Sequence, residues 1–346
     1  MTDNKPKLID LFCGCGGFSL GFERAGFEVL LGIDIWADAL KTFAFNHRGC
    51  KTLLADLSLI HPSDTQSMLE GETVDVIIGG PPCQGFSVAG KRIVDDIRNK
   101  LYKNFVNFVA HFKPKAFVME NVPNILTIGG GAIREAILDD FAALGYTIEY
   151  KIMTASDYGV PQNRRRAIFV GFRNGHHFEF PSPLESEKVT SSEAISDLPE
   201  HSLDDGHDYV AEPMSDYQIL MRKNSQVINN HQATVHNPKT VEIISLVPDG
   251  GNYKDLPEHL KDTRRVHIAW TRLNSNRPSF TIDTGHRHHF HYSYNRIPTA
   301  RESARIQSFP DDFFFTCSRT SQLKQIGNAV PPLLAEAIAT SILSQL

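Results

Sequence analysis

The sequence predicts an α/β fold: a doubly wound, mostly parallel sheet followed by a second, smaller, loop-rich domain. Three observations carry this. Short runs rich in Val, Ile and Leu alternate with apolar residues at helical spacing through the first half of the chain. The first run passes through a glycine-rich turn into a helix, which is the opening of a βα unit. After Phe172 the alternation stops, and turn residues, histidines and aromatics mix without a period as far as Tyr294.

Residues 7–12 form the first strand, and Phe18, Phe22 and Ala25 then recur at helical spacing until Gly26 ends the helix. Residues 29–33 give a second strand and 36–45 its helix. Strands continue at 51–54, 74–78 and 116–119, with helices at 99–112 and 132–144 and two closing strands at 147–153 and 166–172. Later, Thr299-x-x-Glu302 is a capping box. Pro331-Pro332 suit the first turn of a last helix, whose Leu334, Ile338 and Ile342 share one face. The expected boundaries are 1–175, 176–294 and 295–346.

At 346 residues the chain has room for two domains and an ample core. It holds no uninterrupted apolar run of roughly 18 residues, and its polar start does not read as a signal peptide, so a soluble cytoplasmic protein with no membrane partner is expected. Five cysteines in such a chain read as reduced thiols. Cys13-x-Cys15 lacks a second pair at zinc spacing, and the histidines at 286–291 read better as a hinge or a phosphate-facing surface than as ligands. No metal is expected. The net charge of −5 hides an uneven distribution. Ten acids between Glu185 and Asp216 face Lys188 alone, whereas eight arginines between Arg264 and Arg305 face only Asp283 and Glu302. Such a basic stripe reads either as phosphate contact or as a solvated face.

The turn Cys13-Gly14-Cys15-Gly16-Gly17 lets the backbone approach a ligand closely, and the helix start offers free amides. Asp34 ends the second strand, where an acid accepts from a ribose diol. Asp56, after the third strand, is in reach of an adenine amino group. A dinucleotide site or a plain tight turn would share this motif. Ser19 replaces the third glycine of G-x-G-x-x-G, which disfavours pyrophosphate and favours an adenosyl cofactor without phosphates. Further on, Gly79-Gly80-Pro81-Pro82-Cys83-Gln84-Gly85-Phe86-Ser87 follows a buried strand, and its prolines hold Cys83 where ligands of open sheets bind. A lone cysteine in such a turn reads equally as inert. Its company changes the reading: Glu120-Asn121-Val122 follows the fifth strand, and in Gln162-Asn163-Arg164-Arg165-Arg166 alternate arginines project to one side.

In chain order these are 12–17, Asp34, Asp56-Leu57, Pro81-Pro82-Cys83-Gln84, Glu120-Asn121-Val122, Gln162-x-Arg164-x-Arg166, 296–315 and Gly327-Asn328-Ala329-Val330. With these eight motifs the chain resembles the DNA (cytosine-5)-methyltransferase family over nearly its whole length. The resemblance implies a Rossmann-like, S-adenosylmethionine-dependent catalytic domain at 1–175, a target-recognition domain at 176–294, and a hinge with a returning C-terminal segment at 295–346. It implies that Phe12, Cys13, Gly14, Cys15, Gly16, Gly17, Asp34, Ile35, Asp56, Leu57, Pro82, Asn328 and Ala329 hold the cofactor, released as S-adenosylhomocysteine. The family usually places Glu, then a second acid two residues on, where this chain has Asp34 and Trp36.

By the same resemblance, Cys83 is the nucleophile on cytosine C6, Glu120 meets N3 and the exocyclic amine, Arg166 meets O2, and Arg164 orients the catalytic loop or a phosphate. The target cytosine has to leave the base stack of duplex DNA. Gln84, Ser87, Lys91, Arg92 and Arg98 in the loop, and Arg264, Arg265, Arg272 and Arg287 in the recognition domain, are the expected DNA contacts. A short chain of this type implies a monomer partnered by a restriction endonuclease. A transfer-RNA cytosine methyltransferase would use the same chemistry, but Phe314-Phe315-Thr316-Cys317 is not the Cys-Phe-Thr signature of those enzymes. A nicotinamide oxidoreductase would leave Cys83, Glu120 and the arginines unexplained.

Overall fold

The structure, a computed structural model, describes residues 5–82, 99–261, 263, 270–284 and 289–346. The chain forms two compact units. The first runs up to Thr154 and adds Arg165–Pro183 and Leu334–Leu346; the second comprises Ala155–Arg164 and Leu184–Leu333. The second unit therefore continues past 294, and only the last residues return to the first.

In the first unit β1 (Lys7–Leu11), α1 (Gly17–Arg24), β2 (Glu28–Asp34), α2 (Ala37–Asn46), β3 (Lys51–Leu54), β4 (Val76–Gly79), α3 (Asn99–Phe112), β5 (Ala116–Asn121), α4 (Ala132–Ala142), β6 (Tyr146–Thr154) and β7 (Arg165–Arg173) follow in order. The seven strands lie as β3-β2-β1-β4-β5-β7-β6. The first five run parallel. β7 runs antiparallel to both β5 and β6. The expected α/β class is the observed one. Strand order reverses between β1 and β4, the point where open sheets bind their ligands beyond the strand ends. The inner strands β1, β4 and β5 and most of β7 are buried on both faces, which is why they read as continuous apolar runs, while the edge strands β3 and β6 are partly exposed. Phe105 and Phe108 of α3 and Phe141 of α4 close one face, with Phe141 stacked on Phe117 at 4.0 Å.

The second unit holds α5 (Ser191–Ile195), α6 (Asp216–Arg222), α7 (Pro238–Ser245), α8 (Glu258–Lys261), α9 (Ala300–Ile306) and α10 (Arg319–Asn328), while α11 (Pro332–Leu343) closes the chain. α5 to α8 run only four to eight residues, too short for a period to show in sequence. The Thr299 capping box forms as expected, with Thr299 Oγ1 accepting from the Glu302 amide. Arg319–Leu343 is long and apolar enough to span a membrane by length and composition, but 56% of that window is buried inside the protein and the two prolines divide it.

Candidate active site

Two clusters on the carboxyl rim of the sheet hold several of the expected residues. At the carboxyl end of β1 the chain turns sharply: Phe12 takes a left-handed φ of 60° and Gly16 one of 97°, a strained conformation for the phenylalanine and a free one for the glycine. The Asp34 carboxylate ties this loop to the end of β2. One oxygen accepts from the Gly14 amide at 2.8 Å and the other from the Trp36 amide at 2.8 Å. Burial pushes the Asp34 carboxyl up, and these amides oppose the shift. The Ile35 amide opposes it as well, and the carboxylate still has acceptor capacity for one further donor.

A side chain at Gly14 would project into open space, and the neighbouring Ile35 is 67% exposed. The apolar surface, the acid and the bare backbone suit an adenosyl group. The thiols of Cys13 and Cys15 do not take part: both are buried, and burial raises the Cys15 pKa to about 12. Leu57 packs its side chain into the core, so both cysteines and Leu57 can offer only backbone atoms. Beneath the loop Asp10 is buried, its carboxyl pushed up to about 8 by desolvation, and it accepts from the Ser19 hydroxyl at 2.6 Å. The replacement of a glycine by Ser19 thus has a structural reason.

The second cluster lies where β4, β5 and β7 meet. Glu120 Oε1 and Arg166 Nε pair at 2.7 Å, each side chain 14% exposed. Because β7 is reversed, it is the start of this strand that comes to the carboxyl ends of its neighbours. Gly80 leaves room for the acid: a Cβ there would stand 3.1 Å from Glu120 Oε2, a tight contact that the carboxylate would have to ease. Asn121 Nδ2 donates to the Pro81 carbonyl at 3.0 Å and holds the segment that leads to Cys83 against the end of β5. A carboxylate and a guanidinium fixed side by side at a strand end can bind both edges of a polar planar ring.

The model of the C-5 cytosine-specific DNA methylase family matches residues 6–344. The chain belongs to this family. It is a DNA (cytosine-5-)-methyltransferase, similar at 40% identity to the type II methyltransferase M1.HphI of Haemophilus parahaemolyticus over 97% of this chain and 86% of that one. It is 40% identical to M.DdeI of Desulfomicrobium norvegicum over 97% and 88% of the two chains. A solved E. coli prophage protein described as a DNA modification methyltransferase superposes with a TM-score of 0.81 at 29% identity, covering 98% of this chain and 99% of that one. The S. pombe Dnmt2 methyltransferase, at 16% identity, a TM-score of 0.61, and coverage of 99% of both chains, shares the fold.

The methyltransferase's second unit corrects part of the sequence reading. Arg272, expected on the DNA face, is 4% exposed. Its guanidinium donates to the carbonyls of Ile244, Val247, His291, Tyr292 and Tyr294 and to Asn295 Oδ1, so it has nothing left for a phosphate. Arg164, expected to orient the loop or a phosphate, is buried and donates to the Ile282 carbonyl at 3.4 Å. Arg296, Arg301 and Arg305 of the basic stripe are also buried. Arg305 binds Asp311 through two hydrogen bonds and Asp197 through a third. Arg296 grips Glu302 with two; burial pushes that carboxyl up, but the Arg296 charge and hydrogen bonds, with His291 and His231 beside them, together hold it down to about 2.

Asn328 is exposed at the end of α10, and the Ala329 carbonyl accepts from Gln307 Nε2 at 2.6 Å. Gln307 also meets Gln162, a hydrogen-bonded link that sequence spacing gives no sign of. Among the described residues no group of three or more His, Cys, Asp or Glu side chains is arranged to hold a metal. His289 packs on Phe280, and His291 Nδ1 accepts from the Ser293 and Tyr294 amides. Cys83, Gln84, Ser87, Lys91, Arg92, Arg98, Arg264, Arg265 and Arg287 lie outside the described residues.

Proposed function

We propose that the protein methylates C5 of one cytosine within a short duplex DNA sequence, by extruding the base and attacking its C6 with Cys83. The observation that carries this is the Glu120–Arg166 pair, with Gly80 against the acid and Asn121 holding Pro81. S-adenosylmethionine, the cofactor the glycine loop and Asp34 suit, supplies an electrophilic methyl group when bound. The Cys83 thiolate adds to C6, and the ring electrons move to C5, which becomes a carbon nucleophile. Glu120 supplies a proton or hydrogen bond at N3 and draws electrons from C6, while Arg166 donates to O2 and holds the acid in line. After methylation C5 loses its proton and the thiolate leaves, restoring the aromatic ring.

The names of its relatives support the reading of this chain as the modification half of a type II restriction–modification system, with a cognate endonuclease at the same site. We propose that it acts as a monomer in the cytoplasm. Methyl transfer from labelled S-adenosylmethionine to duplex DNA, and not to transfer RNA, is the expected result. Labelling of RNA alone would overturn the reading. Duplex carrying 5-fluorocytosine should form a covalent adduct that Cys83→Ala abolishes, and bisulfite sequencing of DNA from expressing cells should show one methylated context.

A further inference from the structure

His47 takes no part in the chemistry above, yet it is buried completely beneath the glycine loop. It caps the end of α2, and its ring lies 4.3 Å from that of Phe43, one turn earlier. A Cβ built on Gly16 would fall 2.0 Å from His47 Nε2. The ring is held there from its other nitrogen, which donates to Glu23 Oε2 of α1 at 2.8 Å. Phe43 in turn sits under Gly32, where a Cβ would fall 2.6 Å from Cζ. Two side chains of one helix thus press against two glycines, one in β2 and one in the loop. Asp34 holds Gly14 from the opposite end of the same β2–α2 unit. The loop is gripped at two points: an acid on its amide, and a ring under its backbone.

We infer that His47 and Glu23 are positioning residues, a strut that fixes how closely the Gly14–Gly16 backbone approaches the cofactor. This rests on the reading that the loop holds S-adenosylmethionine. A buried imidazole locked by a carboxylate has one orientation, so the height of Gly16 is set by the Glu23 contact rather than by loop sequence alone. The strut touches neither the cytosine nor the cofactor. It acts through main-chain atoms, and its loss should be felt in cofactor affinity and not in the chemical step.

The test uses the full chain and compares wild type, His47→Ala, Glu23→Gln, Gly16→Ala and the Gly16→Ala/His47→Ala double variant. For each, calorimetry gives the Kd for S-adenosylmethionine, and steady-state assays give KM for cofactor and for DNA separately. His47→Ala should raise the cofactor Kd and KM about tenfold, with KM for DNA and kcat at saturating cofactor unchanged, since a small displacement of a positioning group is amplified in binding. Glu23→Gln, at a partly exposed acid, should give a smaller rise in the same constant, and it keeps the test open if His47→Ala does not fold.

Gly16→Ala should bind cofactor poorly, because its methyl meets the ring. Removing the ring in the double variant should restore part of that loss, a reversal that general destabilisation would not produce. Cofactor constants equal to wild type in folded His47→Ala or Glu23→Gln, or a double variant no better than Gly16→Ala, would overturn the proposal. A wild-type protein that fails to bind S-adenosylmethionine, or Asp34→Asn with unaltered affinity, would instead overturn the reading of the loop.

Discussion

Arg166 with Glu120 and Arg305 with Asp311 make the same charge-assisted contact in opposite surroundings. The first pair lies on a rim of the sheet with both side chains 14% exposed, and the second lies in a core where neither is exposed at all. At the rim the pair keeps faces open to a third partner. In the core every oxygen and nitrogen is spoken for: Asp197 adds to Arg305, Tyr209 donates to Asp311, and Arg301 stands 3.6 Å from Asp311. Burial decides which arginine can meet a substrate and which one is scaffold. A buried guanidinium that loses its acid is a far larger disturbance than an exposed one.

The largest contrast should come from the acids themselves. Glu120→Gln should lower methyl transfer by about two to four orders of magnitude, the usual share of a general acid, while melting temperature and DNA binding stay near wild type. Asp311→Ala should do the reverse. It should cost about 3–5 kcal/mol of stability by chemical denaturation, because it leaves two buried guanidiniums, Arg305 and Arg301, with Asp197 as the remaining buried acid. An Asp311→Ala protein as stable as wild type would show that the core pair is not a pair in solution.

Arg272 sharpens the comparison. If its carbonyl partners are its whole role, Arg272→Ala should unfold more easily and leave the salt dependence of DNA binding unchanged. A slope of log K against log salt reduced by about one would return it to the DNA face. The same core contains a pH effect. Burial holds the His291 imidazole down to about 4, opposed by the Glu302 charge and aided by those of Arg296, Arg272 and His231. An unfolded histidine gains its proton near pH ~6.5, so between that pH and about 4 the unfolded chain binds more protons than the folded one. The stability His291 contributes is complete above this window and is lost as pH falls through it. His291→Gln should flatten that slope in denaturant titrations at pH 7 and pH 4.5. The smallest effect should be at a surface cap. Thr190→Ala removes the Glu193 amide's partner and should cost about 1 kcal/mol.

The first unit was legible because its inner strands are buried on both faces and its helices on one, so each writes a pattern into the sequence. The 99–112 helix and the 51–54 strand have the bounds read from that pattern. The rim residues were legible as a combination: Glu120 stands near the end of one strand and Arg166 near the start of another, and strand direction then brings them together. The arginine stripe misled, since charge says nothing of depth. Arg272 is satisfied by carbonyls from residues 244 to 294, and every residue type supplies a carbonyl. Asp197 belongs to the acidic run that precedes the stripe, yet it lies inside with Arg305. His47 left no mark either. The glycine it supports is thirty-one positions away, and only a missing Cβ records the contact.

The reversed seventh strand also bears on how such a chain tolerates change. Insertions or deletions ahead of Arg165 would drag the guanidinium at 166 off its acid, because the strand's own register sets its place there. Beyond Arg173 the chain departs from the far side of the sheet. Length can vary on that side without a tug on the catalytic edge, so residues just past the end of this strand are where grafted or exchanged segments should be accepted first.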